Sequence, residues 1–412
     1  MKYVIIGNSA AACGAVEAIR KIDGSSPITL ISSEPHHIYG RPLISYLLSG
    51  KTTEEKMKYR PSDFYEKNGV DAKLGATVTS VDAEKKRITV NAAGKTFNED
   101  YDRLLYACGS SPFVPPTEGL DKVKEKFTFM TLDDARSLGM SCDRDKKVLI
   151  IGAGLIGLKC AEGILGRCGD ITVVDMAPRV LSSILDDECA AVVQSHIEKT
   201  GIRFILGDAV EKYESNKAFL RSGGELDFDI LVTAVGVRAN TKLLCDAGAK
   251  CGRGILTDAD SRTSLTDIWA AGDCAESFDI TAGGCRVLAI LPNAYMQGEA
   301  AGYSMAGAPR PFTKAIPMNS IGFMGLHMIT AGSYTGALID KSSGGSIKKL
   351  YASGNHLIGF IMIGDVSRAG IYTALIREQT PLDTIDFELI AEKPQLMAFT
   401  AAQRASKLAM SH

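Results

Sequence analysis

Apolar and polar positions along the chain form a pattern that is written twice. The run "KYVIIGNSAAACGAVEAIRKIDGSSPITLISSEP" has an apolar strand, a turn at Gly7, a helix of small residues, and a second apolar strand closed by Glu34. The run "KKVLIIGAGLIGLKCAEGILGRCGDITVVDMAP" repeats this order, from a turn at Gly152 to Asp175. Each is a βαβ unit, so the chain is expected to be α/β. Farther along, "RITVNAAGKTFNEDYDRLLYACGSSPFVPP" predicts strands, a Gly-Ser turn and a Pro-rich crossing between domains. "FDILVTAVGVRANTKLL" predicts a buried strand ending at the Gly236 turn, and "DIWAAGDCAES" a strand running into Gly272 and Asp273. "LPNAYMQGEAAGYSMAG" predicts a helix starting after Pro292, with small residues on one face. From about Pro311, short glycine-punctuated strands and then the helix "DVSRAGIYTALIREQT" predict an α+β domain. From about Asp386 the chain reads as an amphiphilic tail without a motif.

Both βαβ units carry the spacing that holds a dinucleotide. Gly152, Gly154 and Gly157 complete GxGxxG, and Asp175 ends the following strand. The first glycine permits the tight turn, and the second lets the helix N-terminus approach a pyrophosphate. The third lets helix and strand pack closely, and the acid accepts from ribose hydroxyls. In the first copy these positions are Gly7, Ser9, Ala12 and Glu34. Ala12 is small enough for its place. Ser9 is a departure, which either pushes the backbone from the phosphate or offers a hydroxyl as replacement donor. A lone fingerprint would be weak, because Gly-rich turns also occur in βαβ units that bind nothing. Two copies, each with strand, helix and acid in place, point to a dinucleotide function.

Composition narrows the class further. A chain of 412 residues predicts two or three domains, and 45% hydrophobic with 23% charged residues gives ample core. A net charge of −2 provides no basic footprint for nucleic acid and no polybasic membrane patch. The N-terminal apolar run "YVII" is far short of a signal-peptide core, and no window has membrane-spanning length, so a cytoplasmic protein is expected. Ten cysteines, at 13, 108, 142, 160, 168, 189, 245, 251, 274 and 285, lack CxxC or any repeated ligand spacing. They are expected to be buried and reduced, with no iron–sulfur or zinc site built by this chain.

In combination, the two fingerprints, "YACGSSP", "VGVRAN" and "AAGDCAE", in this order, resemble the pyridine nucleotide-disulfide oxidoreductase superfamily of two-dinucleotide-binding-domain flavoproteins. The resemblance covers nearly the whole chain and is nearest to rubredoxin and ferredoxin reductases and the flavin-binding part of NADH-dependent nitrite reductases. It implies two Rossmann-like domains plus a C-terminal α+β interface domain. The FAD domain would be residues 1–110 and 236–310, the inserted NAD(P)H domain 111–235, and the interface domain 311–412, which often dimerises in such proteins. Gly7, Ser9, Ala10, Ala12 and Glu34 would hold the ADP half of FAD, with Arg41, Pro42 and Val78 also at the cofactor. Ala107, Cys108 and Gly109 would pass close to the flavin nucleotide, Gly272 and Asp273 would meet the ribityl chain, and Asn293 would lie in the helix aimed at the flavin. A positive helix end there would stabilise the reduced, anionic ring. Gly152, Gly154, Leu155, Ile156, Gly157, Asp175 and Gly236 would bind the nicotinamide cofactor. Asp175 favours NADH over NADPH, because a carboxylate accepts from the 2′-hydroxyl and repels a 2′-phosphate; Arg179 is the residue that would accommodate that phosphate. The family often has Glu where this chain has Lys159, which either pairs with Glu162 or is a solvated helix residue.

The stretch "IYGRPLISYLLSGK" bears on where the electrons go. Relatives that reduce peroxide or oxygen carry a flavin-side cysteine where this chain has Arg41, and the dithiol relatives carry a CxxxxC pair that is absent here. Without that thiolate, disulfide exchange has no nucleophile. His327 is read as packing in the third domain rather than as an acid–base partner. The segment is similar to "RPPLSK" of the ferredoxin reductases, with Tyr46 at the lysine position; Tyr39 and Tyr46 are either flavin walls or core aromatics. The resemblance thus implies hydride transfer from NADH to FAD and electron release to rubredoxin, ferredoxin or another iron centre outside the chain, with no catalytic nucleophile. The alternatives are a FAD subunit of a larger iron–sulfur complex, an NADH oxidase, and a scaffold that keeps the fold with a dead site.

Overall fold

The computed structural model describes residues 1–409, so the last three residues of the expected 311–412 domain lie outside the described residues. The chain divides into two compact units. One comprises residues 1–276 and 291–312, the other 277–290 and the described residues from 313 onward. The hydrophobic pattern does not mark the allegiance of 277–290 to the second unit.

The first unit holds two parallel sheets. In the first, β1 (Tyr3–Ile6), β2 (Ile28–Ser32), β3 (Val70–Leu74), β4 (Arg103–Tyr106) and β5 (Ile268–Ala270) lie in the order β5-β4-β1-β2-β3. In the second, the strands Val148–Ile151, Ile171–Asp175, Arg203–Leu206 and Ile230–Thr233 repeat the arrangement, with Lys126–Phe127 at the far edge. Both central strands are buried along most of their length, as expected for parallel sheets covered on two faces. The repeat goes further than the fingerprints. Each sheet is accompanied by a three-stranded antiparallel meander, at 76–100 and at 210–227. Between the halves the chain leaves through Ser110–Pro112 and returns through Val237–Ala239, which pair antiparallel.

Two helices position the first site. Helix α1 (Ala10–Ile22) follows β1, and α2 (Leu291–Met305) lies against it. Their contact explains the small residues. A Cβ at Gly298 would lie 2.6 Å from the carbonyl carbon of Ala11 and 2.7 Å from its Cα, and closer still to its carbonyl oxygen. Only glycine allows the two backbones to meet there. Tyr295 of α2 donates to Glu17 of α1 at 2.6 Å, and Arg60 completes that cluster with a bidentate bond to the same carboxylate.

The second unit is an antiparallel five-stranded sheet, Met318–Phe323, Leu326–Gly332, His356–Ile363, Ile347–Ser353 and Ala337–Asp340 in spatial order, covered by the helix Ala369–Arg377. His327 lies on one of these strands but is exposed rather than packed. The stretch after Asp386 is not a loose tail. Asp386 caps the helix Phe387–Glu392, Tyr372 donates to the carbonyl of Ile390 at 2.8 Å, and Ile390, Ala398 and Phe399 are buried in the unit's core. The single aliphatic and aromatic positions here are too sparse to show a period, so their burial is set by tertiary contact.

One cysteine expectation fails. Cys245 and Cys251 form a disulfide. The helix Lys242–Asp246 ends in a turn at Gly248, with Gly248 N–H donating to Cys245 at 3.0 Å and Ala249 N–H to Leu244 at 2.9 Å. That turn returns the chain on itself and brings the two Cα atoms to 6.1 Å, within disulfide range. The other eight cysteines are free, and most are buried.

Candidate functional site

At the C-terminal ends of β1 and β4, where connections leave the sheet in opposite directions, lies a cavity of about 480 Å³. Gly7 begins its floor. Its φ of +117° is a conformation open to glycine, and a Cβ would sit 2.7 Å from the carbonyl carbon of Ala107. Ser9 is the N-cap of α1, yet its hydroxyl makes no bond to the helix's own first N–H groups. The first turn of α1, Ala10 and Ala11, faces the cavity. This is the arrangement that binds an anionic phosphate: orphan N–H groups and the positive end of a helix.

Glu34 and Asp273 both line the cavity. Glu34 lies two residues beyond β2. Its carboxylate accepts from Tyr39 at 2.7 Å and from the Arg41 guanidinium, and Tyr39 in turn accepts from the N–H of Leu132 at 3.0 Å. The acid is thus oriented by residues from two loops. Burial pushes the Tyr39 hydroxyl well above its ordinary value, so it stays a donor to Glu34. Asp273 follows the positive-φ turn at Gly272 and accepts from Ser110 at 3.2 Å. Burial pushes its carboxyl up, against the opposing effects of Ser110 and the Arg41 charge. The Cys108 thiol lining the wall is pushed well above its ordinary value by burial, so it supplies no thiolate.

Of the residues expected at this site, Gly7, Ser9, Ala10, Glu34, Arg41, Val78, Ala107, Cys108, Gly109, Gly272 and Asp273 line the cavity. Three do not. Ala12 is fully buried behind the turn, Pro42 is exposed, and Asn293 is buried within α2 while its neighbours Leu291 and Ala294 face the opening. The fingerprint spacing fixes which residues are small, not which point inward. Sequence reasoning also missed the wall Ala239–Leu243. Asn240 holds it, donating from its side chain to the carbonyl of Cys108 at 2.9 Å and from its N–H to Gly109 at 2.9 Å. The "VGVRAN" run was the available signal. Tyr39 and Tyr46 are not among the lining residues.

The second cradle repeats the first. Gly152 has φ of +113°, and a Cβ there would be 2.7 Å from the carbonyl carbon of Ala234; one at Gly157 would be 3.1 Å from that of Gly152. Gly154 caps the helix Leu155–Ile164, and a Cβ on it would meet open space. Leu155 and Ile156 are half-buried in its first turn. Asp175 accepts from the N–H of Ala153 at 2.6 Å and of Ala177 at 2.8 Å, one on each oxygen, which aims the carboxylate across the Gly-rich turn. Arg179 is turned to its own loop, bonding the Leu185 carbonyl at 3.1 Å and pairing with Asp187 at 2.9 Å. Gly236 stands apart, at the crossing, where its carbonyl accepts from Phe113.

Lys159 is not a solvated helix residue. It pairs with buried Glu162 and its ammonium stands 4.4 Å from the centre of the Tyr46 ring, while Lys51 reaches the same carboxylate at 3.3 Å. Tyr46 thereby joins the short helix Ile44–Leu48 to the helix of the second cradle.

Both donor sets fit a dinucleotide: a glycine turn that a Cβ would fill, a helix N-terminus behind it, and an acid bonded in place. The first cavity, lined by Glu34 and by a second acid, Asp273, fits FAD. Among the described residues no group of three or more His, Cys, Asp or Glu side chains is placed to hold a metal ion, and no helix is long and apolar enough to cross a membrane.

Comparison with known proteins agrees with this geometry. The family model described as pyridine nucleotide-disulphide oxidoreductase matches residues 1–298. The chain is 30% identical to the NADH-dependent phenylglyoxylate dehydrogenase subunit epsilon of Aromatoleum evansii, over 95% of this chain and 94% of the relative. It is 31% identical to a rubredoxin-NAD(+) reductase of Alcanivorax borkumensis, over 66% of this chain and 72% of that one. In fold it is similar to the solved covalent putidaredoxin reductase–putidaredoxin complex, with a TM-score of 0.86, 21% identity, and coverage of 100% of this chain and 99% of that one.

Proposed function

From the premise that the chain belongs to the pyridine nucleotide-disulphide oxidoreductase family, we propose that it is a FAD-dependent NADH oxidoreductase that delivers electrons to a redox protein of the rubredoxin or ferredoxin type. Residues 1–110 and 236–310 hold the flavin, 111–235 the nicotinamide cofactor, and 311–412 serve as an interface domain, with a homodimer as the expected assembly. When bound, FAD supplies the means to accept a hydride and to release its two electrons one at a time. The chain's own part is binding, orientation and charge. The first turn of α1 and the Gly7 turn hold the pyrophosphate, Glu34 the adenosine ribose, and Asp273 the ribityl hydroxyls. The start of α2 places a positive helix end at the flavin ring. Asp175 receives the 2′-hydroxyl of NADH, and Arg179, engaged by Asp187, is not presented to a 2′-phosphate.

The observation that carries this reading is the pair of matching cradles combined with a flavin cavity that has no thiolate. Arg41 stands on the wall where peroxide- or oxygen-reducing relatives carry a flavin-side cysteine, and the half-buried Cys108 thiol is pushed well above its ordinary value. Electrons therefore leave through an external carrier. The test is anaerobic reduction by NADH followed by reoxidation with rubredoxin, ferredoxin or oxygen. Rapid reoxidation by a carrier supports the proposal; rapid reoxidation by oxygen alone makes the protein an NADH oxidase. Colourless protein that takes up no FAD ends the case.

A second reading has one specific observation in its favour. The relative matched along nearly its whole length is named as a subunit of a larger enzyme. On this reading the chain is the FAD- and NADH-binding subunit of an iron–sulfur oxidoreductase complex, and iron-containing polypeptides should co-purify with it. A cytoplasmic location is part of either reading.

A further inference from the structure

The disulfide between Cys245 and Cys251 lies behind one wall of the flavin cavity and closes the turn between the helix that continues that wall and a segment hydrogen-bonded beside Asp273. On one side, the helix Lys242–Asp246 continues directly from the wall Ala239–Leu243 and packs against the strand Ala76–Asp82, which carries Thr77 and Val78 into the same cavity. On the other side, Cys251 pairs with Ile255, whose N–H donates to the carbonyl of Cys274 at 2.8 Å and whose carbonyl accepts from Glu276 at 2.9 Å. Cys274 follows Asp273 directly. The sulfur–sulfur bond therefore closes a tight turn that begins in the helix behind the Asn240 wall and ends at Cys251, whose partner Ile255 is hydrogen-bonded to the segment that carries Asp273.

Both cysteines are only half-buried, so a thiolate in solution can reach the bridge. The turn between them is held by its own backbone bonds, from Gly248 to Cys245 and from Ala249 to Leu244. Opening the bridge therefore leaves the two thiols close and able to close again. Structural disulfides are rare in reducing compartments, where the bridges found are mostly transient and redox-sensing.

We propose that Cys245 and Cys251 form a reversible thiol–disulfide site whose oxidised form tightens the hold on FAD. The inference rests on the reading that this cavity binds FAD. The partner is a dithiol reductant. One of its thiolates attacks one sulfur of the bridge, breaking the Cys245–Cys251 bond and forming a mixed disulfide. Its second thiolate then displaces that cysteine, leaving the reductant as a cyclic disulfide. Two electrons enter the protein, and each cysteine sulfur takes up one proton.

The test uses the full-length protein as purified, with dithiothreitol as the dithiol. Iodoacetamide labelling and peptide mass analysis count the thiols before and after treatment, and flavin fluorescence on dilution gives the FAD dissociation constant in each state. Reduction is expected to add two labelled cysteines, at 245 and 251, and to weaken FAD binding on the order of tenfold. The double variant Cys245→Ser, Cys251→Ser is expected to bind FAD weakly with or without the dithiol. Cysteines 245 and 251 that label fully before reduction, or an FAD affinity that does not change on reduction, overturn the inference. Protein without flavin in either state removes the FAD reading and the inference with it, whereas flavin held equally in both states removes the inference alone.

Discussion

The contact between α1 and α2 makes Gly298→Ala a demanding test, because two effects of opposite sign compete there. Alanine in a helix interior gains about 1 kcal/mol over glycine from propensity alone. Against this, the new methyl would lie 2.6 Å from the Ala11 carbonyl carbon and 2.7 Å from its Cα, both backbone atoms of α1. Carbon pairs rest at roughly 3.5–4.0 Å, so the helices must separate by about 1 Å. No flexible side chain can absorb that shift, which places the cost at the upper end of the ~1–3 kcal/mol typical of overpacking. The net expectation is a loss of about 2 kcal/mol, read as a lower urea midpoint by circular dichroism. Weaker flavin retention should accompany it, since Ala11 and Ala294 on the two facing helices both line the cavity. The same change at Gly370, where a Cβ meets nothing within 4 Å, should leave the midpoint unchanged or raise it. A Gly298→Ala protein as stable as the wild type, with full flavin, would refute the close-contact argument.

Other consequences can be checked with single substitutions. Asp273→Ala should empty the flavin site, seen as loss of yellow colour in folded protein; full occupancy would contradict its assigned role. Asp175→Ala should relax the preference for NADH, with the kcat/KM ratio of NADH to NADPH falling at least tenfold, and an unchanged ratio would sink the specificity argument. Burial pushes the Glu17 carboxyl up, but bonds from Arg60 and Tyr295 outweigh it and hold the group below its ordinary value. Its contribution to stability is then present above the ordinary carboxylate range and lost as the pH falls through the lowered folded value. Glu17→Gln should therefore be less stable than wild type near neutrality and approach it in acid, which parallel pH profiles would disprove.

Much of this architecture can be read from the chain because its signals are local. Gly7 and Gly152 stand where a strand must turn into a helix, and the close approach of the next strand forbids a side chain at either. The small face of α2 could be read for the same reason. What escapes reading is decided by residues far apart in sequence. Tyr39 and Arg41 fix Glu34 only because their loop folds back beside Met130 and Leu132. Pro42 shares a motif with Arg41 yet points to solvent, and Asn240 joins the site across 132 positions through the Cys108 carbonyl. The Cys245–Cys251 bridge carries no motif at all; it depends on the turn at Gly248. Nor does the core beyond Asp386 have a readable period, since Ile390 and Phe399 are buried by a sheet and helix that precede them.

The antiparallel ribbon of Ser110–Pro112 with Val237–Ala239 sets the two ends of the intervening lobe side by side. A segment anchored in this way behaves like a cartridge. It can be replaced by a counterpart with another coenzyme preference without stretching the sheet that holds the flavin, provided that counterpart keeps the Met130 and Leu132 backbone bonded to Arg41 and Tyr39. The inserted lobe is in that sense portable, and the remainder keeps every residue that lines the first cavity except Met130.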